Sequence, residues 1–329
     1  MAKILVVVEH EDGKIRRSSF EALAAARALA AKHAGRTVAA VLGQSLAAAA
    51  QELATRGADD VIVIESPELA RFTPDAYRLV LIDLVRELAP TWVLMSHSYL
   101  AQDVLPLVSA AFDAPVLSDC AGLELDGEQE VFLRQPYDAK LVARTIDTGP
   151  APHFATLQSG AFSAEGLPSA HSGTVSTRQT TLDPSALRRK VSGVRSTGGK
   201  TVDLSSAEVI VSGGRGLGSK EKFQELVVGL AKALGGAVGA SRPVVDSEWL
   251  PHEHQIGSSG QIVAPRLYVA LGISGAIQHC VGMRGSSTVV AINKDPQAPI
   301  FNEATYGIVG DVNEIVPALI KAVEEAKQA

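Results

Sequence analysis

Through most of its length this chain alternates short β-branched runs with longer segments whose apolar residues recur at helical spacing, and few folds accommodate that pattern. The short runs fall at 3–8, 37–42, 60–64 and 91–96, with a shorter one at 115–118; the longer segments fall at 17–34, 45–56 and 74–89. Thr73-Pro74 supplies a helix start and Gly35 a stop. A parallel strand pair needs a long connection, so this order predicts a parallel sheet with helical crossovers. From Leu123 to Phe162 the pattern changes, and segments such as 130–134 and 140–144 alternate in a way that predicts antiparallel strands added to the same domain.

A second strand–helix series follows, with strands expected at 207–212, 236–240, 266–271, 287–292 and 307–310, a helix near 220–234 and a final one over 312–327. Between the two series, residues 163–200 are rich in Ser, Thr, Gly and Pro. They include the basic triplet Arg188-Arg189-Lys190, read as a solvated linker edge, and the flexible Ser196-Thr197-Gly198-Gly199. The expected fold class is α/β in two domains, which suits a chain of 329 residues. Residues 1–195 would form an N-terminal parallel-sheet domain with added antiparallel strands, 196–204 a linker, and 205–329 a C-terminal Rossmann-like domain.

Charge and hydropathy exclude several functions. The net charge is -6, from 30 basic and 36 acidic residues, and no basic stripe marks a nucleic-acid partner or an anionic membrane surface. No apolar stretch approaches the roughly 20 residues of a membrane span, so no stable membrane insertion is expected. The run 4–8 is too short for a signal-peptide core and meets Glu9-His10-Glu11-Asp12 at once, which predicts a cytoplasmic protein, or a mitochondrial-matrix one if a transit peptide was removed. Cys120 and Cys280 lie far apart and are read as reduced and structural. His252 and His254 bracket Glu253 without a third ligand at recognisable spacing, so no metal is expected, and no residue is singled out as a catalytic nucleophile.

The chemistry is expected at the strand ends of the second series. Val209-Ile210-Val211-Ser212 runs into Gly213-Gly214-Arg215-Gly216-Leu217-Gly218-Ser219 and then a helix, a turn whose backbone N–H groups can approach an anion. Its glycines are spaced two and two, which fails the dinucleotide fingerprint, and Ser219-Lys220 reverse the P-loop order. A tight β-to-α turn needing positive φ is the plain alternative. Other strand ends carry Ser241-Arg242-Pro243, Gly272-Ile273-Ser274-Gly275 leading to Gln278 and His279, Asn293-Lys294-Asp295 and Gly310-Asp311, while Gln255-Ile256-Gly257-Ser258-Ser259-Gly260 forms a polar loop. In an open parallel sheet such ends converge on one crevice.

These stretches, VSGGRGLGS (211–219), VGASRPVVD (238–246), QIGSSG (255–260), YVALGISGAIQH (268–279), AINKDPQAPIF (291–301) and YGIVGD (306–311), resemble the C-terminal domain of electron transfer flavoprotein alpha subunits. A weaker match, HSYLAQDVLPLVSAAFDAPVLSD (97–119), extends the resemblance into the first half. It implies an electron carrier with bound FAD rather than a substrate-turnover enzyme. Arg242 would lie over the isoalloxazine ring and favour its reduced state. Ser259 would hydrogen-bond the flavin N5; where many members carry Gln-Thr, this chain has Ser258-Ser259, which keeps that bond and shortens the neighbouring contact. His279 would donate to the C2 carbonyl. The turn formed by Gly213, Gly214, Arg215 and Gly216, the loop of Gly272, Ser274 and Gly275, and Asn293 and Asp311 would hold the adenosine and pyrophosphate, with Asp311 either contacting adenosine or capping the final helix. Gln255, Gly257, Ser241 and Gln278 would complete the pocket.

The resemblance also implies a heterodimer with an electron transfer flavoprotein beta subunit carrying AMP or a second FAD. Electrons would come from dehydrogenase donors, such as the acyl-CoA dehydrogenases of fatty acid oxidation, and pass to a quinone reductase. Two rival readings stand beside it: an NADP-dependent Rossmann-type dehydrogenase using Arg242 for the 2′-phosphate, and a non-catalytic nucleotide-binding subunit.

Overall fold

In the computed structural model, which describes residues 1–125, 127, 129–193, 204 and 207–328, the apolar runs become the strands of two separate sheets. The chain divides into two units, Met1–Pro136 with Lys140–Arg195, and Tyr137–Ala139 with Ser196–Ala329. The linker expected at 196–204 lies outside the described residues except for Leu204.

The first unit contains β1 (Lys3–Val8), a small hairpin of β2 (His10–Glu11) and β3 (Lys14–Ile15), β4 (Arg36–Gly43), β5 (Asp60–Glu65), β6 (Trp92–Ser96), β7 (Val116–Glu124), β8 (Val131–Arg134), β9 (Ala143–Thr145), β10 (His153–Leu157) and β11 (Thr174–Gln179). Its main sheet runs β11-β5-β4-β1-β6-β10-β7-β8-β9. On β1, Ile4, Val6 and Val8 pack with the helices Arg17–Lys32 and Ala47–Thr55, while Leu5 and Val7 pack with Pro74–Leu88 and Tyr99–Ser109. Burial on both faces is why such strands read as unbroken apolar runs. At about 1.5–3 kcal/mol for each fully buried aliphatic side chain, β1 is a main source of the unit's hydrophobic stabilisation.

Three expectations need correction here. The antiparallel pattern predicted over 123–162 holds only for β7, β8 and β9. Strand β10 instead runs parallel between β6 and β7, burying Phe154, Ala155 and Leu157. Thr174–Gln179, inside the stretch read as linker-like, is a parallel edge strand paired along β5. Its side chains are mostly exposed, so backbone hydrogen bonds define it and hydrophobic patterning could not reveal it. The strand expected at 140–144 begins only at Ala143.

The second unit is a parallel sheet of β12 (Val209–Gly213), β13 (Ala237–Ala240), β14 (Leu267–Leu271), β15 (Thr288–Asn293) and β16 (Tyr306–Val309), ordered β13-β12-β14-β15-β16. Val211, Val269, Leu271 and Ile292 pack on one face with Phe223, Leu226 and Val316; Ile210, Tyr268 and Ala291 pack on the other with Ile256, Cys280 and Met283. The sheet is therefore doubly wound. Strand order reverses between β12 and β14, which places a crevice at their carboxyl ends. The helix after β12 spans 220–234 with a π-helical stretch, Gln224–Val228, in its middle. The final helix is Val312–Gln328.

Candidate functional site

The loops that leave the carboxyl ends of β12 to β16 surround one cavity of about 1160 Å³. Of the residues expected to form a site, Gly214, Arg215, Gly216, Ser241, Arg242 and Gly257 line it. So do Ser258, Ser259, Gly272 and Ser274, with Gln278, His279, Asn293 and Asp311. Only Gly213, Gln255 and Gly275 stay off its wall.

The glycines are there because two loops press together. Gly214 N donates to Leu271 O at 2.8 Å and Gly216 N to Gly272 O at 3.2 Å. A Cβ at Gly214 would lie 2.2 Å from Gly272 O, and one at Gly216 2.6 Å from the same atom. Off the wall, a Cβ at Gly213 would meet the Phe223 ring at 2.4 Å and one at Gly275 would meet Ile300 N at 2.1 Å. Positive φ, expected of the first turn, is needed at Gly218 (+85°) and in the second loop at Gly272 (+60°) and Gly275 (+87°).

Charge is arranged around this backbone frame. Ser241 N donates to Gly213 O at 3.0 Å, and Ser241 begins the short helix Arg242–Asp246. Arg242 Nε lies 3.3 Å from Asp246 Oδ2, with its side chain 68% exposed. Arg215 and Lys294 also face the cavity; neither forms a salt bridge among the described residues, while the charge of Lys294 acts on Asp311. Asp311 Oδ1 accepts from Asn313 N at 2.8 Å, which caps the final helix and lowers the carboxyl's pKa. The capping alternative is thus realised on a residue that also lines the cavity. Asn293 Nδ2 donates to Ile273 O at 2.9 Å and its Oδ1 accepts from Asp295 N at 3.0 Å, so this amide ties two loops together.

Gln255 lies beneath the wall. Its Nε2 donates to Ser259 O and to Ser259 Oγ, both at 3.0 Å. Because that bond uses an oxygen lone pair of Ser259, the hydroxyl proton remains available to another acceptor. Ser258 N donates to Gln278 O at 2.8 Å and fastens the loop to the helix Ile277–Val281. That helix carries His279, which is buried, with Nδ1 3.1 Å from Ile256 O and Nε2 2.9 Å from the Tyr268 hydroxyl. Desolvation pushes its pKa down to about 4, so the ring is neutral at physiological pH. Both ring nitrogens lie within hydrogen-bond distance of protein partners, Ile256 O and the Tyr268 hydroxyl.

Sequence reasoning did not select Asp246, Lys294, Asp295 or Leu217 as site residues, yet all line the cavity. The Lys294-Asp295 position at a strand end was the available signal; Asp246 gave none, since one helical turn brings it back beside Arg242. Among the described residues, no group of three or more His, Cys, Asp and Glu side chains could hold a metal, and no helix is long and apolar enough to cross a membrane.

Residues 4–182 match the electron transfer flavoprotein domain, and 203–284 match the electron transfer flavoprotein FAD-binding domain. The chain is 40% identical to the electron transfer flavoprotein subunit alpha of Bacillus subtilis (strain 168), across 99% of this chain and 98% of that protein. The chain belongs to the electron transfer flavoprotein alpha-subunit family. FAD is accordingly its cofactor, electron transfer its function, and a beta subunit the kind of chain with which alpha subunits pair. Other relatives of this alpha-type chain are the acryloyl-CoA reductase electron transfer subunit beta of Anaerotignum propionicum, 38% identical across 99% of this chain and 96% of that protein, and a subunit of the lactate dehydrogenase (NAD(+),ferredoxin) of Acetobacterium woodii, 34% identical across 98% and 77%.

The cavity fits the cofactor on its own terms. It exceeds the roughly 300–1,000 Å³ of common small-ligand pockets, glycine backbone is exposed on one side, and two cations that form no salt bridge among the described residues suit a pyrophosphate. Asn293 and Asp311 lie beyond the matched FAD-binding segment, and the fold brings them to the same wall.

Proposed function

We propose that the cavity of the second unit holds FAD and that the chain, paired with a beta subunit bearing AMP or a second FAD, relays electrons from flavoprotein dehydrogenases to an acceptor such as a quinone reductase. The observation that carries this reading is the convergence of all five strand-end loops on one cavity lined by almost every residue the family resemblance selects. When bound, FAD supplies reversible electron uptake and release. The chain's part is binding and electrostatic tuning. Arg215, Lys294 and the glycine backbone would hold the pyrophosphate; Arg242, tethered loosely to Asp246, would supply positive charge to the flavin ring; and Ser259, braced by Gln255, would offer its proton to a flavin ring nitrogen.

Acyl-CoA dehydrogenases of fatty acid oxidation are one donor class in this proposal. The names of two relatives, one serving an acryloyl-CoA reductase and one a lactate dehydrogenase, favour CoA-thioester and hydroxy-acid dehydrogenases as the chemistry to test first. The named relatives are bacterial and favour a cytoplasmic setting over a mitochondrial matrix. We place the domain boundary at 195–204, with 196–204 as the linker. Family membership disfavours both the NADP-dependent dehydrogenase and the non-catalytic nucleotide-binding subunit.

The test is an absorbance spectrum of the chain co-purified with its beta subunit, followed by stepwise anaerobic reduction. Flavin bands that bleach and return on reoxidation are expected. A colourless complex that takes up no electrons would refute the proposal.

A further inference from the structure

We draw no further inference here: the strongest candidate, the exposed apolar patch of Leu141, Val142 and Ile146 flanking the edge strand β9, carries nothing because nothing in the structure shows what covers it.

Discussion

In both units parallel strands reverse their order beside the first strand, between β1 and β6 in one and between β12 and β14 in the other. The units treat that switch point differently. In the first unit β1 runs into Glu9, a buried carboxyl that accepts from Ser98 Oγ at 2.6 Å, and Ser98 also caps the helix Tyr99–Ser109. In the second unit β12 runs into glycines, and backbone takes the place that side chains fill in the first. The same topology can thus be closed by its own acid or left with a wall of bare backbone. One residue type after the first strand makes much of the difference.

The sharpest way to break this comparison is to put a side chain into the glycine wall. Gly214→Val would drive a Cβ to within 2.2 Å of Gly272 O, and overpacking against backbone should cost roughly 3 kcal/mol. Hydrogen exchange should show faster opening of the second unit with the first unaffected, together with loss of FAD. Retained FAD would show that the two loops can part at little cost.

A comparable effect is expected from acid, with opposite sign in the two units. His279 has a folded pKa of about 4 against an ordinary 6.5. Between these values the unfolded chain binds a proton that the folded chain excludes, so the second unit should lose roughly 3 kcal/mol as pH falls from above 6.5 to about 4. Glu9 and Glu21 are raised above 4.5 by burial. Each folded carboxyl therefore takes up its proton before the unfolded one does, and these two groups add stability to the first unit as pH falls through their raised pKa values toward 4.5. At lower pH they are opposed by Asp59, whose pKa, despite burial, is lowered by hydrogen bonds from Thr37. Exchange corrected for intrinsic rates at pH 7 and pH 5 should open the helix around His279 while β1 stays protected. Equal responses in both units would remove the contrast.

Glu9→Gln should have a smaller effect. It keeps a hydrogen-bond acceptor for Ser98 while removing the titration, so a change of about 1 kcal/mol or less at neutral pH is expected, with the pH response of the first unit reduced. The smallest stability effect belongs to Arg242→Ala, since its pair with Asp246 is exposed and such pairs contribute about 0–1 kcal/mol. Its redox effect should exceed its structural one: FAD stays bound and the midpoint potential falls. An unchanged potential would assign Arg242 to the surface alone.

Much of this protein follows from its sequence alone. Apolar strands buried on both faces, such as Ile4–Val8 and Val209–Gly213, are visible without coordinates because each must be covered by helices and so carries no polar alternation. The glycine turns and polar strand ends were visible too, because open parallel sheets collect ligands at their carboxyl ends. Tertiary structure alone decided the rest. Strand β11 is held by backbone pairing and shows no apolar signal, and β10 entered the sheet between strands distant in sequence. The hydrogen-bond partners of His279 are Tyr268 and Ile256, whose side chain and carbonyl reach the ring only when three separate segments pack together. Local sequence records what each residue can donate or accept; which partner uses that capacity is set by packing between segments far apart in the chain.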